Sequence, residues 1–159
     1  MHKHILIPTD GSALSQSAVC YGIALAKAVS AKVTGITVST PFHVFAIGPE
    51  MLTDTPESYK HRLEIIAAKY LAQVKDAAAE ARVGCEVIHV EHEHPYQAII
   101  DTAKGRGCDL IVMASHGRRG LSAIVLGSET VKVLTHSYIP VLVYRAEHSI
   151  FLPPYFAAS

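Results

Sequence analysis

No charge of either sign prevails in this sequence: 14 Lys and Arg balance 14 Asp and Glu across 159 residues. No net field therefore draws the chain to nucleic acid or to an anionic membrane, and neither is expected as a partner. Cysteine is scarce. Cys20, Cys85 and Cys108 are odd in number and have no short spacing, which excludes a disulfide framework and a cysteine-based zinc site and fits a reducing, cytoplasmic compartment. No apolar run approaches the ~20 residues that cross a bilayer, and the one in MHKHILIPTDGS is far too short for a signal peptide. Three chemical signatures are missing as well: there is no G-x-x-x-x-G-K-[ST], no G-x-S-x-G, and no cysteine beside a histidine. Residues positioned for rapid phosphoryl transfer are not evident, so the sequence favours a binder or switch over a fast enzyme.

What is present is a folded chain. Half of its residues are hydrophobic and 18% are charged, a balance that disordered chains do not have. The length suits one domain. Lys3 to Pro8 reads as a short apolar strand ending in the turn cluster Thr9-Asp10-Gly11-Ser12. Helical spacing of Val19, Ile23, Leu25 and Ala26 predicts a helix from Ser12 to Ser30, and Lys32 to Ser39 is a β-branched strand. Pro41 to Pro56, with three prolines, is a long connection. Leu63, Ile66, Ala67, Tyr70, Leu71, Val74 and Ala78 form one stripe and predict a helix from Glu57 to Arg82, stopped by Gly84. Strands are expected at Glu86–Val90, Asp109–Ala114 and Ile139–Tyr144, and helices at Tyr96–Gly105 (Ala98, Ile99 and Ala103 inward) and Glu129–Ser137. Alternating strands and helices mean parallel strands with helices on both faces.

Such a sheet binds ligands outside the carboxyl ends of its strands, where the winding reverses. If the first and fourth strands are neighbours there, Thr9-Asp10-Gly11 faces Ala114-Ser115-His116-Gly117 across one crevice. The stretch Ile111–Ser128 adds a second glycine, Gly127, at a Gly-Ser helix entry. Backbone N–H groups at glycines and at a helix N-terminus approach an anion closely, which suggests a phosphate cradle. The plainer alternative is a surface loop whose glycines serve turns.

At these residues the chain resembles the universal stress protein family, over roughly residues 2 to 145. The register of the family's nucleotide-binding members, Gly, two residues, Gly, nine residues, Gly, then Ser or Thr, falls on Ala114, Gly117, Gly127 and Ser128. The opening ILIPTDGS and the closing IPVLVYR look like the family's first and last strands. The resemblance implies an α/β fold, an open five-stranded parallel sheet in order 3-2-1-4-5 with helices on both faces, adenine nucleotide alpha hydrolase-like. It implies a homodimer through strand 139–144 and ATP held between the first and fourth strand ends. Carried over, Asp10 contacts the ribose or phosphate side with Pro8 and Thr9 beside it, and Val38 meets the adenine through its backbone. Met113 and His116 line the pocket, while Gly117, Gly127, Ser128 and Glu129 supply donors to the phosphates. Ala114 departs from the pattern, standing where the motif has its first glycine. Asp10 is also the carboxylate suited to hold Mg²⁺ through water, although a lone Asp-Gly also serves as a turn or helix cap.

The remaining signals divide. His116 reads as orienting its loop by donating to a backbone carbonyl; Arg118 and Arg119 read either as phosphate neutralisers or as a solvated loop tip. The run 121–126 reads as a turn of helix against the pocket. His89–His94 invites a metal reading, but a strand exit of mixed charge is the plainer account. His2 and His4 are expected to be surface residues. The domain is expected to end near residue 145, with 146–159 as a tail whose apolar segment 150–156 suits an unknown protein partner. The leading function is a universal stress response protein acting as an ATP-dependent switch, with at most slow ATP hydrolysis. The alternative is a dimeric interaction module of the same family without nucleotide.

Overall fold

The computed structural model describes residues 1–42, 55–117 and 126–146. Arg118, Arg119, most of the connection Pro41–Pro56, all but the last residue of the run 121–126, and the apolar tail segment 150–156 lie outside the described residues. Strands and helices alternate as β1 (His4–Pro8), α1 (Ala13–Val29), β2 (Lys32–Ser39), α2 (Pro56–Ala81), β3 (Cys85–Glu91), α3 (Pro95–Gly105), β4 (Leu110–Ala114), α4 (Ser128–His136) and β5 (Val141–Tyr144). The five strands form one sheet in the order β3-β2-β1-β4-β5, and every pairing is parallel.

The two-residue period of the strands builds two cores. On one face Ile5, Ile7, Val33 and Val112 pack with Val19, Ile23 and Ala26 of α1 and Val74 and Ala78 of α2. On the other, Leu6, Ile36, Ile111 and Met113 pack with Ile99, Ile100 and Ala103 of α3 and Val133 of α4. Ile5, Leu6 and Ile7 are completely buried, and each such side chain contributes about 1.5–3 kcal/mol of transfer free energy. Ile100 joins the inward face of α3 beside the three expected residues.

Helix ends follow local chemistry. The Ser12 hydroxyl accepts from Ser15 N–H to start α1, and the Thr55 hydroxyl accepts from Ser58 N–H to start α2, with Pro56 behind it. The expectation that Gly84 stops α2 is overturned. Arg82 does so, in the left-handed conformation (φ 59°), its N–H reaching the carbonyls of Ala78 and Ala79. Sequence reading favours glycine at such a position because only glycine takes it without strain, so an arginine there leaves no signal. Ser30 ends α1 in the same way, at φ 56°.

His4 is not a surface residue. It is only 5% exposed, and its Nε2 lies 2.7 Å from the Thr34 hydroxyl of β2. Burial, then Lys32, pushes its pKa below the ordinary histidine value. Nearby, Asp109 accepts from Lys3 N–H at 2.7 Å. Burial raises the Asp109 pKa, but bonds from the Lys3 and His4 N–H groups, with His2 close by, outweigh it and hold the carboxyl low.

Candidate functional site

Pro8, the last residue of β1, pairs with Ile36 of β2, whose carbonyl still takes the N–H of Thr9, but proline has no N–H to offer β4. On its other side β1 pairs with β4 only at Ile5–Leu110 and Leu6–Ile111. Beyond those pairs a cavity of ≈ 560 Å³ opens at the carboxyl end of the sheet, in the range of small-molecule sites. Pro8, Thr9, Asp10, Val38, Met113, Ala114, His116, Gly117, Gly127, Ser128 and Glu129 all line it. The structure thus brings every expected site residue to one cavity.

The β1–α1 turn forms one wall. Thr9 is buried, its hydroxyl 3.1 Å from that of Ser15 and accepting from Gly11 N–H at 3.2 Å. Its N–H donates to Ile36 and its carbonyl accepts from the Thr37 hydroxyl, so Thr9 builds the turn. Asp10 does not cap α1; its Oδ1 accepts from Ser12 N–H at 3.0 Å. Gly11 has φ +75°, and a Cβ there would collide with the ring of Tyr70 from α2.

Opposite stands the β4–α4 wall. A Cβ on Gly117 would strike Oδ2 of Asp10, so this carboxylate oxygen points straight at the glycine across the crevice. Gly127 N–H donates to the Ser115 carbonyl at 2.8 Å, and a Cβ on Gly127 would lie 3.0 Å from Cα of His116. Close backbone approach is what glycine permits here. The Thr130 hydroxyl donates to the Ala114 carbonyl at 3.0 Å, fixing α4 to the end of β4. No side chain caps α4, which leaves its first turn as a donor surface with a positive dipole end. The methyl of Ala114 coexists with this arrangement, in a residue that is 8% exposed. His116 orients differently from expectation: its Nδ1 meets the Ser115 hydroxyl at 3.2 Å and not a carbonyl.

The inner end of the cavity is apolar, with Ile36, Val38, Ile99 and Met113. Successive residues of a parallel strand turn their N–H and C=O groups alternately to the two neighbours. Ile36 C=O faces β1 and Ser39 C=O faces β3, where it accepts from His92. Val38 therefore turns its backbone groups toward β1, beyond the last β1 pair, into the cavity. Ser15, Ile36, Pro95, Ile99 and Thr130 also line it. Ile36 and Ile99 read as ordinary core residues and gave no signal, whereas the hydroxyls of Ser15 and Thr130 near two helix starts were a legible hint.

Histidines 89 to 94 do not gather around a point. The ring of His89 meets the Ser39 hydroxyl at 2.8 Å, and His92 Nδ1 accepts from His94 N–H at 2.9 Å. Among the described residues no three His, Cys, Asp or Glu side chains are placed to hold a metal ion.

Residues 1–145 match the model of the Universal stress protein family. The universal stress protein MJ0531 of Methanocaldococcus jannaschii is 33% identical over 150 residues, covering 91% of this chain and 83% of its own. The solved structure of MJ0577, from the same organism, superposes with a TM-score of 0.79 at 28% identity, covering 94% of this chain and 99% of that one. A universal stress protein crystallised in complex with cAMP shares the fold at a TM-score of 0.65 and 24% identity, covering 90% and 96%.

Proposed function

We propose that this chain, which belongs to the universal stress protein family, binds an adenine nucleotide, with ATP as the intended ligand, and works as a nucleotide-dependent switch. The observation that carries the reading is the convergence of Asp10 and Gly117 across a cavity that ends in uncapped α4. The apolar inner end suits a purine, and the Val38 backbone suits its polar edge. Phosphates then lie against Gly117, Gly127 and the first turn of α4, where N–H donors and the helix dipole favour anions. The cAMP complex of a protein with the same fold adds support of the same kind.

Magnesium fits this reading through Asp10. Oδ1 is held by Ser12 N–H while Oδ2 is directed across the crevice, and Mg²⁺ is commonly bound by one or two carboxylates together with phosphates and waters. When bound it would supply positive charge between Asp10 and the phosphates. Hydrolysis is expected to be slow at most, because the sequence carries no G-x-x-x-x-G-K-[ST] motif to position a triphosphate for rapid transfer.

The reading includes a single domain over 1–145 with 146–159 as a tail, and a homodimer through the last strand. β5 is an outer strand whose four residues are all half-buried in the single chain, and the ring of its Tyr144 meets that of Tyr21 from α1 at a tilt, with centroids 5.5 Å apart. Pairing with a second copy would satisfy its outer backbone groups.

The test is mass spectrometry of the denatured supernatant from freshly purified protein, followed by titration calorimetry with ATP and Mg²⁺. Co-purified or micromolar ATP binding that is lost in Asp10→Ala supports the site. A wild-type chain that takes up no adenine nucleotide overturns it.

A further inference from the structure

Both carboxylate oxygens of Glu129 are engaged by neighbouring groups. Helix α3 starts without a side-chain cap, with His94 at the N-cap and Pro95 in its first turn. Across the helix pair, Glu129 Oε2 accepts from the orphan N–H of Tyr96 at 2.8 Å. Its other oxygen pairs with Lys132 Nζ at 3.0 Å. Lys132 in turn lies 5.5 Å above the Tyr96 ring, which packs against His136 at 5.3 Å. His136 is tied back through Nδ1 to the Lys132 carbonyl at 2.8 Å. Held from these sides, the carboxylate is a stationary charge.

That charge is placed where a ligand meets it. Glu129 sits in the first turn of α4 and lines the cavity, and among the described lining residues Asp10 is the other carboxylate and none is Lys or Arg. Three helices start at this cavity. The Ser12 hydroxyl caps α1 and the Glu129 carboxylate fills the N-terminus of α3, which leaves that of α4 to an incoming anion.

The geometry points to Glu129 as the residue that sets the cavity's preference for ligand charge: it penalises each added phosphate on a bound nucleotide, and Lys132 moderates the penalty. The inference rests on the nucleotide reading above and goes beyond it, from the class of ligand to the selection among ligands of that class. Glutamine at 129 keeps an oxygen for the Tyr96 N–H and removes the charge. Methionine at 132 keeps the apolar stem and removes the counter-charge.

The experiment is calorimetric titration of the wild-type chain, E129Q and K132M with ATP, AMP and adenosine at low salt and one fixed Mg²⁺ concentration. Coulomb's law in a partly exposed site makes the expected gain in the ATP-to-adenosine affinity ratio about five-fold for E129Q, with a loss of similar size for K132M. Adenosine, which carries no phosphate, is expected to move less than about two-fold, since no charge pair is involved. A ratio unchanged in E129Q, or ATP and adenosine changing in parallel, overturns the inference and leaves the nucleotide site standing. A wild-type chain that binds none of the three overturns the reading of the cavity, and this inference with it.

Discussion

Oδ2 of Asp10 lies so near Gly117 that a Cβ on any other residue at position 117 would clash with it. The two residues are 107 positions apart in sequence and meet because β1 and β4 are neighbours. Gly117→Val should therefore displace the Asp10 carboxylate or the loop. The carboxylate end of Asp10 can swing aside at little cost to the fold, so circular dichroism should stay native while nucleotide affinity falls roughly ten-fold or more as that carboxylate leaves its place. A valine variant that binds ATP as the wild type does would refute the contact's role.

Gly11 and Tyr70 make a second such contact. Gly11→Ala takes a left-handed conformation, at about 1–2 kcal/mol for a residue with a Cβ, and also presses on the Tyr70 ring. The single variant should melt several degrees lower. Adding Tyr70→Ala should remove the clash but not the conformational term, giving a favourable coupling in a double-mutant cycle. Strict additivity would show that Tyr70 does not bear on the turn.

His4 gives the fold a pH dependence of known sign. Its pKa is lowered in the folded state, so below the ordinary value of about 6.5 the unfolded chain binds the extra proton first and stability rises with pH. The His4 contribution is full above that value and declines as pH falls through it toward the lowered folded value. Denaturant midpoints measured between pH 7.5 and 5 should fall toward acid less steeply in His4→Gln than in wild type. Parallel profiles would count against it.

The thiols should separate by burial. Cys20 is exposed, Cys85 half-buried and Cys108 buried. Burial, then Asp109, pushes the Cys108 thiol up to about 11, and the thiolate is the reactive form. A colorimetric thiol reagent should label Cys20 quickly in the native protein and Cys108 only on unfolding. Rapid labelling of Cys108 in Cys20→Ser would contradict its burial.

Arg82 holds a left-handed helix end at φ 59°. Glycine there relieves the strain and loses part of the gain to unfolded-state entropy, for a net stabilisation of about 0.5–1 kcal/mol. Urea unfolding of Arg82→Gly reads this directly; a lower midpoint would show that the arginine side chain contributes more than the strain removes.

The sequence by itself determined the element types, the parallel α/β class and the two polar clusters at strand ends. These rest on local chemistry: alternation in strands, the 3.6-residue stripe of α2, the turn cluster ending at Ser12, and glycines at 117 and 127. It placed the end of α2 at Arg82 but credited Gly84 with the stop, because left-handed arginine has no compositional mark. Nor did it show His4 as buried, because its partner Thr34 belongs to another strand. The tertiary structure decided what depends on juxtaposition. It placed Oδ2 of Asp10 against Gly117, turned the Val38 backbone into the cavity where β1 ends, and brought Glu129 to the N-terminus of a helix that begins 34 residues earlier at Pro95. Such contacts arise from strand order and helix packing, which set distances between residues remote in the chain, and no short stretch of sequence carries that information.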